Sequence, residues 1–264
     1  MNFLPPNGAL HGTALDHLLR SNLAIVFWLF VAAQILIVIA ILRRVFSRTQ
    51  SGSGATPTKK PGRALVLIDY AMLLAITALY LWMLVSSHHL WAASREQAVN
   101  CGPAFKVEVT GVQFQWYFRY PGRDGIYGAT RPTLVSAPAG NPLGLDPADP
   151  HSADDVVSSI LILPAGRPVD ITLRSQDVIH GFFVPGMRLK QDAIPGMTGM
   201  IQFTPATTGD YPILCTQVCG LGHYRMQARL RVVPQPQFDA WFAAREKAVL
   251  AANAGAATAP GPAQ

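Results

Sequence analysis

Two long apolar runs constrain this chain more than anything else in it. Leu23 to Leu42 reads LAIVFWLFVAAQILIVIAIL, with Gln34 as its one clearly polar member. Ala64 to Val85 reads ALVLIDYAMLLAITALYLWMLV, with Asp69 as its one charge. A helix needs about 20 apolar residues to cross the hydrocarbon core of a bilayer, and both runs meet that length. A buried helix pair in a large soluble core is the alternative reading, but runs this long and uninterrupted predict two membrane spans. The preceding segment lacks a basic start and a small-residue cleavage site, so the first run reads as a retained helix, with a cleaved signal peptide as the alternative.

Between the runs, Arg43, Arg44, Arg48, Lys59, Lys60 and Arg63 face no acidic residue. A short loop this basic stays on the cytoplasmic side, which predicts both chain ends outside. The expected organisation is an outer segment 1–22, a transmembrane hairpin 23–86 with its basic loop 43–63, an outer domain 87–235 and a tail 236–264. The same loop explains most of the net charge of +6, since basic and acidic residues nearly cancel after His89. The charge therefore reports topology, and no nucleic-acid partner is expected.

From about Pro103 the periodicity changes from helical to alternating. The segments 105–112, 160–164, 169–174, 178–185, 200–205 and 226–233 are short, rich in Val, Ile, Phe and Leu, and punctuated by Pro and Gly. KVEVTGV, VDITLR and RLRVV alternate as half-buried strands do. Six or more such strands predict an antiparallel β-sandwich. The stretch 131–155, dense in Pro, Gly, Ala and Asp, reads as an extended surface loop in which Asp146, Asp149, Asp154 and Asp155 offer a possible docking surface. FDAWFAAREKAVLAA predicts a short surface helix, and AGAATAPGPAQ a disordered tail.

The chemistry concentrates in CTQVCGLGHYRM, residues 215–226. Two nearby thiols in an oxidising compartment would by default pair, so a disulfide is the plain alternative. A disulfide leaves His223 and Met226 without a reason, whereas thiolate, imidazole and thioether together are the donors that suit copper. Zinc would accept the cysteines and histidines, but Met is a poor zinc ligand. A second histidine is required, and His180, emerging among large apolar residues in SQDVIHGFFVP, is the candidate; the bland reading is a satisfied core histidine.

These pieces carry a resemblance. Cys215-Thr-Gln217-Val-Cys219-Gly220-Leu-Gly-His223-Tyr-Arg-Met226, preceded by Asp177-Val-Ile-His180 and by Lys190-Gln-Asp192-Ala-Ile-Pro195-Gly196, resembles the copper motif of cytochrome c oxidase subunit II. Two spans and an outer β-domain match that family as well. The resemblance implies a membrane-anchored all-β protein: a two-helix hairpin followed by a cupredoxin-like Greek-key sandwich. It implies a binuclear copper (CuA) centre in which Cys215 and Cys219 bridge two metals, His180 and His223 each bind one, and Met226 and the Gln217 carbonyl are weak axial ligands. Phe182, Phe183 and Leu221 would keep water away. The implied role is electron acceptance from a cytochrome c or small cupredoxin and transfer to the haem of subunit I, in a complex that also includes subunit III. The oxygen-reducing site then lies in another subunit, and the location is a bacterial-type plasma membrane. From a different class, a membrane-bound copper-delivery protein would need neither the two spans nor the bridging cysteines.

Some positions depart from the family. The residue at 217 is usually Glu, whose carboxylate helps hold magnesium; an amide is a poorer ligand for a hard cation, so magnesium is left out. GVQFQWYFRYPGRDG resembles the family's Gly-His-Gln-Trp-x-Trp, which places Phe114 at the electron-accepting Trp and Trp116 at the second; aromatics in a strand are more often core. Asp69, about five residues inside the second span, is a proton-uptake candidate because ionisable groups in membranes are costly, and a snorkelling acid is the alternative. Cys101 falls outside every motif and reads as a free thiol.

Overall fold

A computed structural model describes residues 4–50, 63–100 and 104–258. Lys59, Lys60, Cys101 and the last part of the tail lie outside the described residues. The chain divides into two compact units, Ala14–Ala93 and Met1–Thr13 together with Ser94–Gln264.

The first unit is helical. Helix α1 spans Gly12–Gln50 and α2 spans Arg63–Asn100. Within them, Gly12–Phe46 and Val66–Ala92 are long and apolar enough to cross a membrane, with mean hydropathies of 3.0 and 1.9. Their large apolar side chains point away from protein: Trp28 is 66% and Leu74 72% exposed. Such surfaces are stable only where lipid replaces water, and a helix satisfies its own backbone there. The helices anchor the chain in a membrane.

The second unit is a β-sandwich. Its strands are β1 (Phe105–Val112), β2 (Gln115–Tyr120), β3 (Val156–Ser158), β4 (Ile160–Pro164), β5 (Val169–Ser175), β6 (His180–Val184), β7 (Leu189–Ala193), β8 (Gly199–Phe203), β9 (Gly209–Cys215) and β10 (Gln227–Val233). They form two five-stranded sheets, ordered β3-β2-β1-β5-β8 and β4-β10-β9-β6-β7. The sheets are mixed, against the antiparallel expectation, because β1 pairs with β5 and β4 with β10 in parallel. Alternation places Val107, Val109, Phe118, Ile171 and Leu173 of one sheet against Leu161, Leu163, Phe182, Ile213 and Leu230 of the other, all at most 1% exposed. Each buried side chain of this size contributes about 1.5–3 kcal/mol, so this layer carries the domain.

Three segments read as peripheral are part of the packing. Helix α3 spans Gln235–Thr258, well beyond the short surface helix expected, and is not confined to the surface. Phe238 is 2% exposed, its ring 4.9 Å from that of Phe105, and Trp241 lies 5.2 Å from Tyr120. The 131–155 stretch folds back on itself through Thr130–Leu145 and Ser136–Asn141 bridges. Its acids are largely spent internally: Asp155 is 2% exposed and accepts from Arg119 Nε at 3.0 Å, Asp146 pairs with Arg131, and Asp154 accepts the Arg123 N–H. An exposed acidic docking loop is therefore not what these residues form.

Residues 5–10 run along the β-domain. The Gly8 N–H donates to Gly186 O at 2.8 Å, the Ala206 N–H to Gly8 O at 2.6 Å, and the Leu10 N–H to Thr204 O at 3.1 Å. Ala9 is 2% exposed, and a Cβ on Gly8 would sit 2.5 Å from the Tyr211 ring, so only glycine fits this crossing.

Candidate metal centre

Three neighbouring strand ends of the second sheet converge at one edge of the sandwich. His180 opens β6, Cys215 closes β9, and Met226 precedes β10. Antiparallel pairing sets Phe182 opposite Cys215, and the Cys215 N–H donates to Met226 O at 3.2 Å, closing the neck of loop 216–226. The loop crosses β6 where the Thr216 N–H donates to Gly181 O at 3.0 Å; a Cβ on Gly181 would meet Thr216 Oγ1 at 2.4 Å. A turn at His223–Arg225 then brings His223 and Met226 back towards the cysteines.

The ligand atoms of His180, Cys215 and Cys219 all lie within 4.8 Å of one another. The two sulfurs are 3.9 Å apart and both thiols are free, far beyond a disulfide bond of about 2.05 Å. Cys219 Sγ is 3.7 Å from His223 Nδ1 and 3.7 Å from Met226 Sδ, while Cys215 Sγ is 3.2 Å from Gln217 O. Every donor singled out in the sequence is thus adjacent to one of the two sulfurs or part of the tight group.

His180 is fully buried, with Nε2 2.8 Å from Asp177 Oδ1 and Nδ1 without a partner. An unfilled buried nitrogen costs about 1–3 kcal/mol, so a donor left open beside two thiols is chemistry waiting for a metal. Burial opposes ionisation of Asp177, yet donors from Gln113, His180 and Val178 outweigh it and hold the carboxyl below its ordinary value. An ionised carboxylate then fixes the His180 ring, as it does for metal-bound histidines generally. Burial, reinforced by Cys215, pushes the Cys219 thiol up to about 11, so a metal must displace its proton. Soft sulfur with imidazole, partly closed from water, fits copper.

Around this group the apolar shell is uneven. Phe182 is buried, but Leu221 is 98% exposed and does not shield the site as expected. Phe114 is 38% exposed and packs on the loop, where a Cβ on Gly222 would meet its ring at 2.4 Å. Trp116, expected beside it at the surface, is fully buried, its ring 5.8 Å from that of His180 and 5.3 Å from Phe182. It is core because it alternates inward on β2. Asp69 belongs to the helical unit and takes no part in the metal group. Sequence reasoning missed Asp177 and Gln113 as supports; Asp177 stood in a quoted motif, but nothing local points to its partner 64 residues away.

A β-sandwich presenting two free cysteines, two histidines and a methionine at the ends of adjacent strands is a cupredoxin-like copper-binding domain. Residues 106–233 match the family model described as cytochrome c oxidase subunit II, periplasmic domain. The match lies within the β-domain and covers just under half of the chain. The chain is 44% identical over 141 residues to the alternative cytochrome c oxidase subunit 2 of Bradyrhizobium diazoefficiens, covering 53% of this chain and 50% of the relative. To the cytochrome c oxidase subunit 2 of Synechocystis it is 31% identical over 155 residues, covering 59% of this chain and 36% of the relative. The chain thus spans half or less of the length of these curated relatives. A crystal structure of the periplasmic domain of subunit II of cytochrome oxidase from Bradyrhizobium japonicum is similar at 25% identity and a TM-score of 0.42, covering 56% of this chain and 99% of that one.

Proposed function

We propose that this chain is the electron-accepting subunit II of a cytochrome c oxidase. The observation that carries this reading is the group of two sulfurs, not joined by a disulfide, and a His180 ring nitrogen within 4.8 Å, on a buried ring whose Nδ1 has no protein partner. When bound there, a binuclear copper centre would take single electrons from a cytochrome c or small cupredoxin and yield them to the haem of subunit I, where oxygen is reduced with proton translocation. Cys215 and Cys219 would be the shared ligands, His180 and His223 the terminal ones, and Met226 with the Gln217 carbonyl the weak ones. The remaining work of the chain is to hold these donors still. Asp177 fixes His180, the Cys215–Met226 backbone bond closes the loop, and buried Trp116 and Phe182 exclude water. Magnesium is not assigned, because Gln217 offers an amide where a carboxylate would be needed.

Phe114, exposed and set against Gly220 and Gly222 of the loop, is our candidate for the electron-accepting surface, with Trp116 a buried aromatic beside His180 rather than a surface contact. Asp69 is our proton-uptake candidate in the second span. Asp69→Asn is expected to slow proton uptake with copper intact; unchanged turnover and pumping would remove that role. We read the amino terminus as outer and the basic loop 43–63 as cytoplasmic, a reading supported by the hydrogen bonds of residues 5–10 to the β-domain and by the loop's charge. Copper analysis of the purified chain tests the central reading: two copper ions per chain with a delocalised EPR signal are expected, and one or none defeats it.

A further inference from the structure

Gln113, in the turn between β1 and β2, touches both halves of the metal group, although it supplies no ligand. Its backbone N–H donates to Asp177 Oδ2 at 2.7 Å, and the other oxygen of that carboxylate, Oδ1, lies 2.8 Å from His180 Nε2. Its side-chain Nε2 donates to the carbonyl oxygen of Cys219. One residue thereby ties the histidine arriving on β6 to the cysteine arriving on the β9–β10 loop, elements that are otherwise joined near the site by the short β6–β9 ladder and the Thr216–Gly181 bond.

The surroundings explain why such a tie is needed. Loop 216–226 is exposed at Val218 (80%), Leu221 (98%) and Tyr224 (68%), so little burial restrains it there. Exposed loops lie at the low-stability end of a fold, and a metal site needs its donors fixed before the metal arrives. The same turn seats Phe114 against Gly220 and Gly222, adding van der Waals contact to the hydrogen bond. On the other side, Gly111 admits His180: a Cβ there would stand 2.8 Å from the imidazole Cδ2. The turn is thus a template against which both donor segments are set.

We infer that Gln113 is a positioning residue for the copper centre, locking the Cys219 backbone to the Asp177–His180 pair. This rests on the copper reading above. The test compares wild type with Gln113→Met, which keeps the length and loses the donor, and Gln113→Glu, which sets an acceptor against the Cys219 carbonyl. The full chain is loaded with copper, and release to a copper chelator and the EPR hyperfine pattern are measured, with the melting temperature of the copper-free protein as a control. Loss of a supporting partner around a metal site weakens binding by about 10–100-fold, so release about tenfold faster is expected for Gln113→Met and faster still for Gln113→Glu. The EPR pattern should change in both, while copper-free melting stays at the wild-type value. Wild-type release and an unchanged spectrum in Gln113→Met would overturn the inference, as would a melting loss alone with release unaltered. If wild type itself binds no copper, the copper reading and this inference fall together; if it binds two and the variants behave like it, only the inference fails.

Discussion

The outer domain buries two polar clusters, and they are built on opposite principles. In the first sheet, Arg119, 2% exposed, donates to Asp155 from Nε and Nη2, to Glu108 from Nη1, and to the Gly128 carbonyl, with the Tyr127 ring 5.2 Å from its guanidinium carbon. Every nitrogen of that guanidinium has a protein partner. In the second sheet, His180 is just as deeply buried, but it keeps Nδ1 open, and two thiols beside it stay unbonded to each other. A cation ringed by oxygens of its own chain is architecture; sulfur and imidazole donors converging on one another, with a ring nitrogen left open, are a site. Burial alone does not separate the two.

Substitutions can break this contrast. The largest effect belongs to Cys219→Ser. It is expected to abolish the binuclear centre, read as loss of copper and of the delocalised EPR signal, while copper-free melting changes little. A collapse of copper-free stability would mean that the thiol is structural. Arg119→Met should do the reverse, leaving Asp155 buried without a cationic partner, while Glu108 keeps Arg174, at a cost of about 3–5 kcal/mol in chemical denaturation. The folded fraction should keep the wild-type copper spectrum, and a spectral change would show that the clusters are coupled.

Gly111→Ala sharpens the comparison, because Gly111 belongs to the first sheet and yet abuts the second cluster. Its Cβ would press His180, at an overpacking cost of about 1–3 kcal/mol. The EPR hyperfine pattern should shift with it; a stability loss with an unchanged spectrum would place the strain elsewhere.

The smallest effect concerns the amino-terminal strap. Burial, offset by a bond to the Met187 backbone and joined by the Arg188 charge, holds the His11 pKa below its ordinary 6.5. The unfolded chain therefore takes up a proton near pH 6.5 while the folded strap still resists, so stability falls as pH drops through that range. Hydrogen exchange at the Ala206 and Leu10 amides, which bond across the strap, should accelerate on acidification from pH 7 to 5.5 beyond the intrinsic trend. Flat protection would remove His11 from the strap's energetics.

Much of this was legible beforehand where the information is local. The spans declare themselves by length, β1, β5 and β10 by alternation, and the metal loop by four donors within twelve residues. Other strands hid for physical reasons. β9 carries Gly209 and Pro212, signals that ordinarily interrupt a strand, but Pro212 lies beyond the short β6–β9 ladder, where β9 is paired on its β10 side alone. β7, LKQDA, is a polar edge strand with little apolar periodicity. Long-range ties left no trace: nothing in the sequence alone pairs Gln113 with Asp177, Arg119 with Asp155, or Gly8 with Gly186. The acids of the 131–155 stretch looked available because their cationic and backbone partners lie elsewhere in the chain or await folding to come near.

The most direct test is copper stoichiometry together with EPR on the intact, membrane-extracted chain. Two copper ions per chain sharing one unpaired electron are predicted from the free thiols, the open His180 nitrogen and the adjacent His223 and Met226. One copper, none, or sulfurs of Cys215 and Cys219 covalently joined in the fully loaded protein would contradict it.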